Sequence, residues 1–168
     1  MPTEEQTSRG TNWACSAGGR LCIGQRLLIP DRTITKLGFW IYKLGAPPGN
    51  VTFRIRKVAG NVLVAEKVWG LANDLPGGST YEEVTFDTPV ALNEEVYIAP
   101  WYESGDGGNC MYVGFSFANV KAGEMYSHYT TTWGDNAARD GAYIYTYQDP
   151  PVPAVGAVPA NLMAAGVI

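Results

Sequence analysis

Residues 33–57 read TITKLGFWIYKLGAPPGNVTFRIRK, and this stretch decides the fold class. In its first half Leu37, Phe39 and Ile41 share one parity, continued at the ends by Thr35 and Lys43. In its second half Val51, Phe53 and Ile55 alternate with Thr52, Arg54 and Arg56. Successive side chains of a strand point to opposite faces, so apolar residues at every second position mark a half-buried antiparallel strand. Between the halves stands Gly45-Ala46-Pro47-Pro48-Gly49-Asn50. Proline fixes φ and glycine takes the positive φ that other residues resist, so this segment stops one strand and turns the chain. The expectation is a hairpin at the centre of one sheet of a β-sandwich.

The same pattern recurs on both sides. Gly24–Ile29 reads as a short strand ended by Pro30-Asp31, and Ala59-Gly60-Asn61 as a tight turn into the strand Val62–Trp69. Tyr81–Asp87 alternates and is ended by Pro89. Glu95–Tyr102 is apolar on both parities, as in a strand covered on both faces. Cys110–Ala118, Met125–Tyr129 and Gly141–Tyr147 complete about nine short strands, and no helical period of ten residues interrupts them. Turn signals at this spacing predict an all-β, antiparallel two-sheet sandwich with jelly-roll topology. Residues 1–20 read as an N-terminal arm anchored by Trp13, residues 21–148 as the sandwich, and residues 149–168 as a C-terminal arm.

Composition bounds the function. The chain has 168 residues, 46% hydrophobic and 17% charged, enough for one domain with a real core. A net charge of −4 with no Lys/Arg block argues against nucleic acid, whose binders carry a basic stripe. The polar, acidic start lacks an apolar signal core, and no apolar run reaches membrane-spanning length. The expectation is therefore a soluble chain that reaches its place without a secretion signal, with no membrane partner.

The runs Gln25–Pro30, Ile34–Lys43, Gly45–Ile55 and Val90–Ile98 together resemble a jelly-roll module of the carbohydrate-binding, galactose-binding-like kind. Such modules recur in phage virion proteins and bacterial extracellular proteins. The resemblance spans about Gln25 to Tyr147 and lies in strand ends and turns. It implies fold and not activity, because many functions share the architecture.

Catalytic chemistry finds no foothold. Glu82 and Glu83 are strand neighbours on opposite faces, so they do not form the facing pair a glycosidase needs. His128 is the only histidine, which excludes a histidine metal triad. Cys15 and Cys22 either pair across the Ser16–Gly19 turn as a disulfide or remain buried thiols with Cys110. The loop Ser104–Asn109 offers Asp106 and Asn109 as calcium ligands, with Asp87 or Asp135 to complete a shell. The plainer reading is a glycine-rich turn whose Asp serves its own backbone. No other cofactor is expected.

Aromatic residues are the better functional material. Trp101, Tyr102, Tyr129 and Trp133 lie at strand ends or in loops, and Trp40, Tyr42 and Tyr112 on outward parities. They suit sugar stacking, a protein interface, or cover by another part of the chain. The tail after Asp149 is apolar and punctuated by proline, and an apolar arm is expected to dock on its own sandwich or on a neighbour. The leading expectation is a non-enzymatic structural subunit of a multimeric particle such as a phage virion, a decoration, capsid-associated or fibre-type protein. Its partners would be copies of itself or other subunits. The alternative is a carbohydrate-binding module that recognises a surface polysaccharide.

Overall fold

A computed structural model describes residues 1–150. The chain is all-β: β1 (Thr3–Gln6), β2 (Thr11–Cys15), β3 (Cys22–Leu44), β4 (Asn50–Lys57), β5 (Leu63–Leu71), β6 (Thr80–Trp101), β7 (Cys110–Ser116), β8 (Met125–Tyr129), β9 (Trp133–Asn136), β10 (Asp140–Gly141) and β11 (Tyr143–Gln148). Two single turns of 3-10 helix, at Ala59–Asn61 and Ala72–Asp74, are the helical content of the described residues. All the ladders between these strands are antiparallel.

The count is eleven strands and not nine. Pro30 and Pro89 were expected to end strands, yet β3 and β6 run through them, which merges two expected pairs. The reason lies in the register. Ile29 pairs with Glu94 and Arg32 with Leu92, so Pro30 and Asp31 sit in a bulge, with Asp31 at φ 43°. Ile34 pairs with Val90 and Lys36 with Thr85, so Pro89 falls in a second irregularity. A bulge asks for no ladder hydrogen bond from the proline nitrogen. Four strands were not foreseen: β1, β2, β9 and β10. Two of them lie in residues 1–20, where β1 pairs with β11 and β2 with β7. The arm expected at residues 149–168 lies, after Pro150, outside the described residues.

The long strands β3 and β6 organise everything else. The first half of β3 pairs with β8 on one side and the second half of β6 on the other; β4 and then β5 follow beyond β6. The second half of β3 pairs with the first half of β6 and, on its other edge, with β11 and β7. The two runs about Pro47-Pro48 are consequently not a hairpin, since β4 bonds to β5 and β6 but not to β3. The turn is held to other elements: Tyr102 Oη donates to Pro48 O at 2.7 Å, and Ala46 N to Asn109 Oδ1 at 3.0 Å. Gly45, at φ 68°, packs so close to Gly108 O that a Cβ would stand 2.3 Å from it. The Gly60-Asn61 turn does join a hairpin, β4 to β5.

The alternating rows close the core. Leu37, Phe39, Ile41, Val51, Phe53 and Ile55 are all buried. The rings of Phe39 and Phe53 meet edge to face at 5.2 Å between centroids, although β6 separates their strands in the ladder. Removing such apolar surface from water is the main stabilising term of the fold. Cys15, Cys22 and Cys110 are free, so the structure has no Cys15–Cys22 bridge. Burial pushes the Cys15 and Cys22 thiols upward, which keeps them protonated and inert.

One polar knot is built on a fully buried carboxylate. The Asp140 carboxylate accepts from Gln25 Nε2 at 2.7 Å, Val120 N at 2.5 Å and Lys121 N at 2.8 Å. The Gln25 side chain accepts in turn from Gly141 N at 2.6 Å. Buried polar groups are stable in such positions because their hydrogen bonds are made.

Candidate functional site

Two features stand out on the surface: an aromatic cleft and an open sheet edge. The cleft, about 570 Å³, forms where the end of β6, the end of β8 and the outward face of β4 converge. Antiparallel register sets this meeting, since Cys22 of β3 pairs with both Trp101 and Tyr129. Trp101 and Tyr129 lie 5.0 Å apart, Tyr129 and Trp133 5.4 Å, and Trp101 and Trp133 6.0 Å. Three of the four aromatic residues singled out in the sequence are therefore brought together. Tyr102 is not among them. It follows Trp101 directly and is fully buried in the main core.

The rings are not free platforms. Trp133 stacks on Tyr97 at 3.8 Å and donates from Nε1 to Asn61 Oδ1 at 2.8 Å. Trp101 is nearly buried, donates from Nε1 to Glu103 and carries the Arg54 guanidinium 4.7 Å from its ring centre. Arg54 also bonds Glu66 at 3.1 Å and Glu103 at 3.0 Å. Arg56 bonds Asn61 through Nε and Nη2, at 2.8 and 2.7 Å, and forms no ion pair among the described residues. The cleft thus combines an aromatic floor with guanidinium, carboxylate and amide groups. Arg54, Arg56, Asn61 and Glu103 were missed in the sequence. The signal for the arginines was present, in their outward parity on the Val51–Ile55 strand.

The proposed calcium ligands are occupied by the protein's own donors. Asp106 Oδ1 accepts from Gly108 N and Asn109 N at 2.8 Å, and Asn109 Nδ2 donates to both of its oxygens. The backbone N–H of Gly108, foremost, and the Asn109 contacts hold this carboxyl below its usual range. Asp87 is paired with Lys67 at 2.6 Å, while Asp135 accepts from Arg26 at 2.9 Å and Ser127 Oγ at 2.7 Å. The outward rings Tyr42 and Tyr112 stack on each other at 5.0 Å, and Arg9 covers Trp40 at 4.5 Å.

The edge is β5. It bonds to β4 on one side only and ends the strand order. None of its residues is fully buried. Leu63, Val68 and Leu71, with Val62 just before them, are exposed, Val68 by 52% and Leu71 by 54%. Its two charges are paired, Glu66 with Arg54 and Lys67 with Asp87. Register shifts between Val51/Thr52 and Ile55/Arg56 leave a regular open segment over Ala65–Val68. An unpaired apolar edge of this kind invites another chain.

No family model matches the chain, and no curated protein matches it either.

Proposed function

We propose that this chain is a non-enzymatic building block of a multimeric particle, of the virion decoration, capsid-associated or fibre kind, and that copies meet along β5. The observation that carries the reading is the open β5 edge with four exposed apolar side chains, Val62, Leu63, Val68 and Leu71. The ion pairs of three strand carboxylates support it from the other side. Glu83 bonds Lys36, Glu94 bonds Lys57 and Glu95 bonds Arg26, so they hold strands together. We further propose that the sheet network closes as a two-sheet sandwich of jelly-roll type. Its support is the Phe39–Phe53 contact together with the β3–β6 ribbon, which carries two register shifts and pairs in both halves. Light scattering on the full chain tests the assembly reading: a mass that grows with concentration to a defined multiple of one chain is expected, and a single-chain mass at every concentration overturns it.

A second reading has an observation of its own, the cleft of Trp101, Tyr129, Arg54, Arg56 and Asn61. Rings beside bidentate donors suit a saccharide, whose C–H face stacks while its hydroxyls are bonded. On a glycan array the wild-type chain is then expected to retain a defined saccharide class. Trp133→Ala, which removes the Asn61 contact and the Tyr97 stack, is expected to weaken that binding by about tenfold or more. An array with no retained glycan retires the reading.

A further inference from the structure

Five buried side-chain polar atoms of the described residues have no hydrogen-bond partner, and three of them fall in one place: Arg20 Nε, Tyr126 Oη and His128 Nδ1. Tyr126 and His128 occupy the same face of β8, with ring centres 5.8 Å apart. Arg20, from the segment joining β2 to β3, lies 4.3 Å over the ring of Trp13, and Trp13 meets Tyr126 edge-on at 5.6 Å. Beside them is a cleft of about 440 Å³, lined by Gly18, Arg20, Leu21, His128, Thr130 and Thr131. It is separate from the aromatic cleft except for the shared Gly18 and Leu21.

Charge decides what this place fits. Arg20 has no carboxylate partner among the described residues, and neither has Arg139, whose guanidinium lies 5.1 Å from the Trp13 ring on the same cluster. The acid nearest in effect to His128 is Asp135 of β9, and it is engaged by Arg26 and Ser127. Two uncompensated guanidiniums thus lie together in a chain of net charge −4. A buried N–H donor without an acceptor is costly, and guanidinium offers donors only. The complement is a group with acceptors only and negative charge. A neutral sugar or a cation does not supply that.

We propose that the cleft between Gly18–Leu21 and His128–Thr131 binds a small oxyanion, with Arg20 as its principal donor and His128 as a further donor. The shared chemistry is that of a carboxylate or sulfate group, free or carried on a larger ligand. The site is independent of the assembly reading. Gly134 opposite His128 is part of its construction, because a Cβ there would stand 2.7 Å from the imidazole. Burial first and Arg20 second push the His128 imidazole downward, while Asp135 opposes them; Tyr126 is the other titratable group against it. A bound anion favours the protonated ring, so it raises the His128 pKa, and by linkage the anion binds more tightly as pH falls through that value.

His128 is the only histidine, so its imidazole protons form an unambiguous NMR signal. Sodium sulfate, added at constant ionic strength against sodium chloride, is expected to shift that signal saturably and to raise the His128 pKa. Arg20→Gln is expected to weaken the binding by about tenfold or more, the loss of a charge-assisted contact. Arg9→Gln, whose guanidinium lies over Trp40, leaves it unchanged. Should Arg20→Gln fail to fold, the wild-type pKa with and without sulfate still decides. A saturable shift at lower concentration with glucuronate than with acetate assigns the group to a larger acidic ligand, and equal concentrations assign a free anion. No saturable shift in the wild type, or the same shift in folded Arg20→Gln, overturns the proposal.

Discussion

Phe53→Ala is expected to lower the free energy of unfolding by about 3–5 kcal/mol, measured by urea denaturation. Phe53 is fully buried on β4 and touches Phe39 on β3, a strand to which β4 makes no ladder hydrogen bond. Side-chain packing therefore joins these strands where the backbone does not. Truncation removes the ring's transfer energy and leaves a cavity that the surrounding strands, fixed by their ladders, fill only in part. Leu28→Ala is the control, since Leu28 is 57% exposed. Its expected change is within about 0.5 kcal/mol, the usual range for surface sites. Similar values for the two variants would mean that Phe53 does not lie in a packed interior.

Asp140→Ala is expected to cost about 2–4 kcal/mol in the same measurement. The carboxylate is wholly enclosed and receives the Gln25 side chain and the Val120 and Lys121 backbone N–H groups. Losing it breaks three hydrogen bonds and leaves the two backbone N–H groups without this acceptor, while Gln25 Nε2 retains Glu124 at 3.1 Å. The Gln25 amide loses its shorter contact in a buried place, whereas the segment at Val120 is exposed enough for water to replace part of the loss. Asp140→Asn preserves shape and one carbonyl acceptor, so its cost is expected to fall between the alanine variant and the wild type. An alanine variant as stable as the wild type would contradict the role given to this knot.

How much of this was legible in the sequence follows from the range of each interaction. The rows Leu37/Phe39/Ile41 and Val51/Phe53/Ile55 were readable because period-two burial is a local pattern. Which strands they pair with was not readable. The turn at Pro47-Pro48 reads the same whether it joins ladder neighbours or, as here, two strands that meet only through their side chains. Thr3–Gln6 was missed because its outward residues are polar and only Gln6 is buried, where its amide donates to Gly141 O. The two prolines misled for the opposite reason, as their local rule yields where a bulge removes the demand for an N–H. In the cleft, Trp101, Tyr129 and Trp133 were visible as aromatics at strand ends. Tyr102 looked equivalent, but adjacent residues of a strand face opposite ways, and its ring turns to the core. The Arg20, Tyr126 and His128 cluster and the Asp140 knot join residues far apart in the chain, and no local spacing announces them.

The β5 edge is the part of the account with the most consequence for function, and light scattering coupled to size exclusion reaches it most directly. Wild-type chain is expected to elute as a concentration-dependent oligomer. Val68→Lys, which places a charge on the exposed regular segment, is expected to return it to single chains with its unfolding free energy changed by no more than about 0.5 kcal/mol. A wild-type chain that stays single at all concentrations, or a Val68→Lys variant that assembles as the wild type does, would contradict assembly through this edge.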